Sequence, residues 1–183
     1  MISDILSDAT SRMAKAVDAA KTDFSTVRTG RANPAMFSSL TVEYYGTPTP
    51  LQQLASFQTP EARTLLITPY DRSALNDIEK ALRDSDIGAN PANDGNVIRV
   101  VMPELTEDRR KDYVKVVKDK AEHARVALRN VRRQAMTELD RLKGEVGDDE
   151  IARAEKELEQ ITKQAVEGID EALRKKESEL LEV

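Results

Sequence analysis

The fold of this chain is decided by residues 113–150, which read YVKVVKDKAEHARVALRNVRRQAMTELDRLKGEVGDDE. Apolar residues recur here at steps of three and four, a spacing that places them on one face of a helix. This apolar face consists of Tyr113, Val117, Ala121, Ala124, Leu128, Val131, Ala135, Leu139 and Leu142. Gly144 and Gly147 then interrupt the helix, and Asp148 and Asp149 begin another. The stretch therefore predicts two long helices joined by a short turn, which makes them antiparallel neighbours.

The flanking sequence extends these two helices and adds a third. The first of the pair opens at Thr106, a predicted N-cap that follows Pro103. The second continues its apolar spacing from Ile151 to Leu180. An N-terminal helix has the same spacing from Ile2 to Val27, and Gly30 is placed to end it. The three apolar faces can be buried only on one another, which predicts an antiparallel three-helix bundle made of residues 1–30 and 105–183.

Residues 31–104 have a different character and are predicted to form a small inserted α/β domain. Prolines concentrate in this segment, and its strand candidates alternate apolar and polar residues. The predicted elements are strands over 40–45, 54–57, 64–68 and 97–102, and a helix over 73–85. The overall expectation is an α+β fold. The two ends of the insertion join the bundle side by side, so Gly30, Arg31, Glu104 and Leu105 are predicted to form a hinge.

The composition restricts the functional classes. Of 183 residues, 33% are charged and only 4% aromatic, which is typical of long helices with an aliphatic core. Cysteine is absent, so disulfides and thiolate sites are excluded. No apolar run approaches the roughly 20 residues of a membrane span, and the N-terminus lacks the pattern of a secretory signal. We expect a soluble cytoplasmic protein with no membrane partner.

Four arginines within the opening stretch form the main candidate binding site. Arg125, Arg129 and Arg132 are spaced at i, i+4 and i+7, with Arg133 beside them, so they share one helix face. We call these four residues the arginine stripe. One interpretation is a solvated face with intramolecular acid partners. The other is an anionic partner, above all phosphate, which a guanidinium binds with two parallel hydrogen bonds.

The distribution of charge favours the anionic partner. Residues 105–143 carry a net charge of +5, whereas residues 144–183 carry −7. A second basic group is expected where the predicted hinge meets the bundle, formed by Arg28, Arg31 and the run from Arg109 to Lys111. Two separate basic patches suit an extended anion such as folded RNA. Because aromatic residues are scarce in the bundle, phosphate and shape contacts should dominate over base stacking.

The sequence gives little support for catalysis. His123 is the only histidine and lies on a predicted helix face. The segment 28–31 lacks the spacing and the lysine of a phosphate-binding glycine loop. We therefore expect no enzymatic activity, no catalytic residues, no metal site and no cofactor. A helical adaptor or chaperone-type protein that binds partner helices is the alternative to an RNA-binding factor.

Four segments of the chain resemble the bacterial ribosome recycling factor family. They are RTGRANP at 28–34, VEYYGTPTPL at 42–51, TEDRRK at 106–111 and ARVALRNVRR at 124–133. The resemblance covers the whole chain in order. It implies an L-shaped protein with a three-helix bundle as one arm and the small α/β domain as the other.

The resemblance also implies a function and a set of site residues. It implies a monomeric translation factor that, with elongation factor G and GTP hydrolysis by that factor, splits the post-termination ribosome into subunits. DNA is not an expected partner. Large-subunit ribosomal RNA is expected to contact the family positions Arg28, Arg31, Arg110, Arg129, Arg132 and Arg133. Arg125 completes the predicted site as a member of the arginine stripe.

Overall fold

A computed structural model describes residues 1–182, which form two compact units. The first unit contains Met1–Phe24 and Lys115–Glu177, and the second contains Ser25–Val114 with the described residues from Ser178 onward.

The helices are α1 (Ile2–Ser25), α2 (Leu75–Arg83), α3 (Glu107–Arg141) and α4 (Asp148–Leu181). The strands are β1 (Thr41–Tyr44), β2 (Thr47–Pro50), β3 (Ala55–Glu61), β4 (Thr64–Pro69), β5 (Asn90–Asn93) and β6 (Ile98–Val101). The predicted α+β class is confirmed. The predicted domain boundaries, at 30/31 and 104/105, stay a prediction.

The first unit is built from the greater part of α1, α3 and α4. Arg125 on α3 contacts Asp170 on α4, and Arg132 contacts Glu159. Since the higher residue number on α3 pairs with the lower one on α4, these helices are antiparallel. Residues 2–10 of α1 line a groove with residues 150–157 of α4, and Gly168 lies against Val17. Helices α1 and α4 therefore run in the same direction.

The core of the first unit is aliphatic, as the sequence predicts. Its side chains with at most 1% exposure are Met13, Val117, Ala121, Leu128, Leu139, Leu158 and Ile169. Burying each leucine or isoleucine stabilises the fold by roughly 1.5–3 kcal/mol. All but Met13 fall on the predicted apolar faces of α3 and α4. The burial of these regularly spaced side chains therefore stabilises the bundle.

Local signals set the ends of the long helices. The Thr106 hydroxyl accepts a hydrogen bond from the Arg109 N–H at 3.2 Å, which confirms the predicted N-cap of α3. Helix α3 ends at Arg141. Gly144 has a φ of 91°, in the left-handed region that favours glycine. This conformation lets the chain turn before α4 begins at Asp148.

The second unit contains two antiparallel sheets. A four-stranded sheet has the order β3-β4-β6-β5, and β1 pairs with β2 in a two-stranded sheet. The largest fully buried side chains of this unit are Phe37, Leu51, Leu65, Ile67, Ile78, Leu82, Ile98 and Met102. They come from β4, β6, α2 and the short segments between the elements, and they form one hydrophobic cluster.

Two strands of the second unit are absent from the sequence expectations. Strand β2 reads TPTP and lies outside the predicted strands, and its prolines cannot donate ladder hydrogen bonds. It forms because it pairs on one side only, with Pro48 opposite Glu43 and Pro50 opposite Thr41. Strand β5, Asn90–Asn93, is likewise an edge strand, paired only with β6. Edge positions tolerate such residues since one side of the strand needs no partner.

Candidate functional site

The arginine stripe lies on α3 in the first unit and flanks the buried apolar face. Leu128 and Val131 are buried within the same turns of the helix. The exposed side-chain fraction is 24% for Arg125, 59% for Arg129 and 40% for Arg132. Arg133 is also exposed. The helix periodicity therefore directs all four arginines away from the core, and three of them remain substantially open to solvent.

Arg125 is the stripe member most engaged within the protein. Its Nη2 and Nε donate to Asp170 Oδ1 at 2.6 and 3.0 Å, which links α3 to α4. Its Nη1 donates to Glu122 Oε2 at 3.3 Å. The hydrogen bond to Asp170 raises the pKa of Arg125 above its ordinary value. With all three guanidinium nitrogens engaged, Arg125 has the least capacity to bind an external anion.

Arg129 is held by the same acid from another turn of the helix. Its Nη1 and Nη2 each donate to Glu122 Oε1 at 3.1 Å. Hydrogen bonds from Arg129 and then Arg125 lower the pKa of Glu122. Glu122 and Arg129 are both more than half exposed. Their ion pair is therefore a surface contact, which water and salt weaken.

The last two arginines of the stripe differ in the charge of their partners. Arg132 donates from Nε to Glu159 Oε1 on α4 at 2.8 Å, and its Nη2 bonds the same oxygen. Arg133 donates from Nη2 to the uncharged Asn130 Oδ1 at 3.0 Å. The acid partners anticipated for a solvated face are thus present for three of the four arginines. Because exposed ion pairs contribute about 0–1 kcal/mol, they leave Arg129 and Arg132 open to exchange for a phosphate.

The second predicted basic group lies in the second unit, and Arg28 is its buried member. Arg28 is only 7% exposed. Its Nη2 donates to the Pro103 carbonyl and its Nε to the Thr29 carbonyl at 3.3 Å. Burial lowers the pKa of Arg28. The guanidinium therefore joins the chain just before the insertion to the last residues of the insertion, a structural role that the sequence did not indicate.

Arg110 and Arg31 contact the end of α4. Arg110 Nη1 donates to the Leu180 carbonyl at 2.9 Å and also to the Glu182 carbonyl. Arg110 thus supplies donors to carbonyls that a helix C-terminus leaves unpaired. Arg31 is 70% exposed and pairs with the Glu182 carboxylate at 3.4 Å. A Cβ added at Gly30 would lie 3.6 Å from Arg110 Nη2, so the glycine allows close approach of this side chain.

The four predicted hinge residues, Gly30, Arg31, Glu104 and Leu105, all fall within the second unit. Neighbouring backbone is bonded to the turn between β3 and β4: the Ala32 N–H donates to the Ala62 carbonyl at 2.7 Å, and the Met102 N–H donates to the Arg63 carbonyl at 2.8 Å. These bonds anchor the chain just inside the insertion at both ends. The hinge itself stays a prediction.

A polar cluster in the second unit centres on Asp71. Its Oδ1 accepts the Ser73 hydroxyl at 2.7 Å, and its Oδ2 accepts the Tyr44 hydroxyl at 2.7 Å. The bond to Asp71 raises the pKa of Tyr44 to about 12. Hydrogen bonds from Ser73 and then Tyr44 lower the pKa of Asp71. The neighbouring Tyr45 is 80% exposed, with its ring edge-on to Tyr44.

The remaining chemical candidates are sparse. His123 is exposed, and its Nδ1 lies 2.9 Å from the Asp119 carbonyl of its own helix. Within residues 1–182, no group of three or more potential metal ligands comes together. Over the same part of the chain, no helix is both long and apolar enough to cross a membrane.

Comparison with known proteins gives the family. The family profile described as ribosome recycling factor matches residues 20–181. The ribosome-recycling factor of Kocuria rhizophila is 76% identical over 183 residues and covers 99% of both chains. That of Kineococcus radiotolerans is 64% identical and covers both chains fully.

Solved structures agree with the sequence relatives. A solution structure of the ribosome recycling factor shares 38% identity with a TM-score of 0.80, covering 100% of this chain and 98% of that one. The second is the T. thermophilus ribosome recycling factor, from models of it and E. coli elongation factor G bound to the E. coli post-termination complex. It has 42% identity and a TM-score of 0.72, with full coverage of both chains. The resemblance drawn from the four motifs is confirmed, and the chain belongs to the ribosome recycling factor family, a family of non-enzymatic translation factors.

Proposed function

We propose that this chain acts with elongation factor G to split the post-termination ribosome into subunits. The observation that carries the proposal is the full-length match to a solved relative described together with elongation factor G on the post-termination complex. GTP hydrolysis by elongation factor G would supply the free energy, since ribosome recycling factors are non-enzymatic translation factors. Action on the bacterial ribosome implies a cytoplasmic location.

The arginine stripe is the proposed contact with large-subunit ribosomal RNA. Arg129, Arg132 and Arg133 are exposed enough to reach phosphates, and their exposed ion pairs cost little to exchange. A row of guanidinium groups favours a phosphate backbone, which it binds through charge-assisted hydrogen bonds. Arg125 is included in the proposed RNA contact. Because it is bonded to Asp170, we expect it to contribute more to the stability of the bundle than to RNA binding.

The second basic group is proposed as a further RNA contact through Arg31, whose side chain is 70% exposed. Arg28 and Arg110 belong to the same proposed contact. Their guanidinium groups also bind backbone carbonyls and so hold the local chain in place. In this proposal, elongation factor G pushes the small domain, and movement about Gly30, Arg31, Glu104 and Leu105 displaces contacts between the ribosomal subunits.

A ribosome-splitting assay tests the proposal. Purified 70S post-termination complexes are mixed with this protein, elongation factor G and GTP, and subunit release is followed by light scattering. We expect subunit release only when both proteins and hydrolysable GTP are present. Equal release without this protein would contradict the proposed function. Co-sedimentation with ribosomes over a salt series separates the helical-adaptor alternative, because an RNA-phosphate contact weakens steeply with salt.

A further inference from the structure

Glu122 is the acid that two members of the arginine stripe share. Its Oε1 accepts both terminal nitrogens of Arg129 at 3.1 Å, and its Oε2 accepts Arg125 Nη1 at 3.3 Å. The terminal nitrogen pair of Arg129 is one of the edges through which a guanidinium binds two phosphate oxygens. Glu122 therefore occupies the edge of Arg129 formed by its two terminal nitrogens.

These contacts contribute little to holding the fold. Both partners of Glu122 lie on its own helix, three and seven residues away, whereas α3 is linked to α4 by the pairs Arg125–Asp170 and Arg132–Glu159. Glu122 is 54% exposed and Arg129 is 59% exposed. Ion pairs with this exposure are among the weakest in proteins and are screened by salt. A purely structural account therefore gives the contacts of Glu122 only a small contribution.

We propose that Glu122 is an affinity-determining residue that competes with ribosomal RNA phosphate for Arg129. This inference rests on the proposed function of the arginine stripe. A phosphate that takes the terminal nitrogens of Arg129 must displace the Glu122 carboxylate, and the displaced charge then lies close to the phosphate. Both effects weaken binding. A factor that must leave the ribosome after each round benefits, because weaker binding shortens the residence time.

The test compares the variant Glu122→Gln with the parent protein on purified large ribosomal subunits. We expect binding to be about two- to five-fold tighter at low salt, the range that one exposed ion pair represents. The increase should appear mainly as slower dissociation and should shrink as salt rises, because screening removes the competition. The melting temperature should stay close to that of the parent.

Two further variants make the result specific. Glu157→Gln removes the same charge from an exposed position lining the groove between α1 and α4, and it should change affinity less than Glu122→Gln does. The double variant Glu122→Gln with Arg129→Gln should lose most of the gain, since the competition acts through Arg129.

The outcomes separate this inference from the proposed function. If Arg129→Gln weakens binding while Glu122→Gln leaves it unchanged or weaker, the competition is refuted and the RNA contact stands. A gain for Glu157→Gln equal to that for Glu122→Gln would also refute it, because net charge alone would then explain the effect. If Arg129→Gln binds like the parent, the assignment of Arg129 to the RNA contact fails first.

Discussion

Arg125 and Asp170 join the two longest helices of this protein through one carboxylate oxygen. Asp170 Oδ1 accepts Arg125 Nη2 at 2.6 Å and Nε at 3.0 Å. The side chains are 24% and 36% exposed, so water screens this pair less than it screens the other ion pairs of the stripe. Two members of the arginine stripe, Arg125 and Arg132, thus join α3 to α4, and Arg125 is the less exposed of the two.

Arg125→Ala should destabilise the protein by about 1–2 kcal/mol, since it removes charge-assisted hydrogen bonds from a partly buried position. Denaturant unfolding of Arg125→Ala, Asp170→Ala and the double variant measures their coupling. We expect a favourable coupling free energy between the two side chains. Purely additive effects would show that the contact is unimportant for stability.

Arg132→Gln should lose most of its ribosome affinity, at least ten-fold, while its free energy of unfolding changes by less than about 1 kcal/mol. Glutamine is the informative replacement because a glutamate at 132 would face Glu159 and introduce repulsion between the helices. Arg174→Gln, an exposed arginine on α4, is the matched control. If both variants bind ribosomes equally well, the stripe is only a solvated face.

The same binding data should depend on salt in a defined way. A contact between Arg132 and a phosphate contributes to the steep loss of affinity as salt rises. In a plot of log affinity against log salt concentration, the slope for Arg132→Gln should therefore be shallower by about one unit. An unchanged slope together with reduced affinity would point to an indirect effect of the substitution.

Thr106→Ala should reduce the free energy of unfolding by about 1 kcal/mol, because the Arg109 N–H loses the hydroxyl that it contacts at the start of α3. Thr106→Ser keeps the hydroxyl and should restore most of the loss. Thermal unfolding of the three proteins checks the cap. Equal destabilisation by alanine and serine would mean that the methyl group, not the hydroxyl, matters at this position.

Tyr44 should be the tyrosine that ionises late in an alkaline titration followed by tyrosinate absorbance. Its pKa is raised to about 12 by its hydrogen bond to Asp71. Tyr44→Phe should remove that late phase. A late phase that persists in Tyr44→Phe would contradict the assignment.

The contribution of Asp71 to the free energy of unfolding should depend on pH in the acidic range. Its lowered pKa means that the folded state favours the carboxylate, so its contribution is present above the unfolded pKa, near 4, and is lost as the pH falls through the folded pKa. The stability difference between the parent and Asp71→Asn should therefore narrow on acidification. A difference independent of pH in this range would show that the carboxylate charge is unimportant.

The division into a bundle and an insertion predicts that residues 32–103 can be replaced by a short Gly/Ser linker. Arg28 lies within hydrogen-bonding distance of the Pro103 carbonyl, so the two ends of the replaced segment are close enough to be bridged. The shortened protein should stay helical and melt cooperatively. A helical spectrum without a thermal transition would argue against the bundle as an independent folding unit.

The sequence by itself determined the features that depend on neighbours along the chain. Apolar spacing predicted α3 and α4 and most of their buried faces, and the signals at Thr106 and Gly144 marked the ends of α3. These predictions succeeded because helix periodicity, capping and left-handed turns act over a few residues. The four motif segments identified the family because each is a run of consecutive residues that can be recognised without knowledge of the fold.

Only the tertiary structure decided which partners the charged residues have. The pairing of Arg125 with Asp170 and Arg132 with Glu159 depends on how two helices are rotated against each other, which a pattern within one helix does not define. The burial of Arg28 against the Pro103 carbonyl joins residues 75 positions apart. Strand β2 formed despite its prolines because an edge position needs hydrogen bonds on one side only. The sequence thus determined where the stripe arginines lie on α3, and packing decided which of them bond to another helix and which stay exposed.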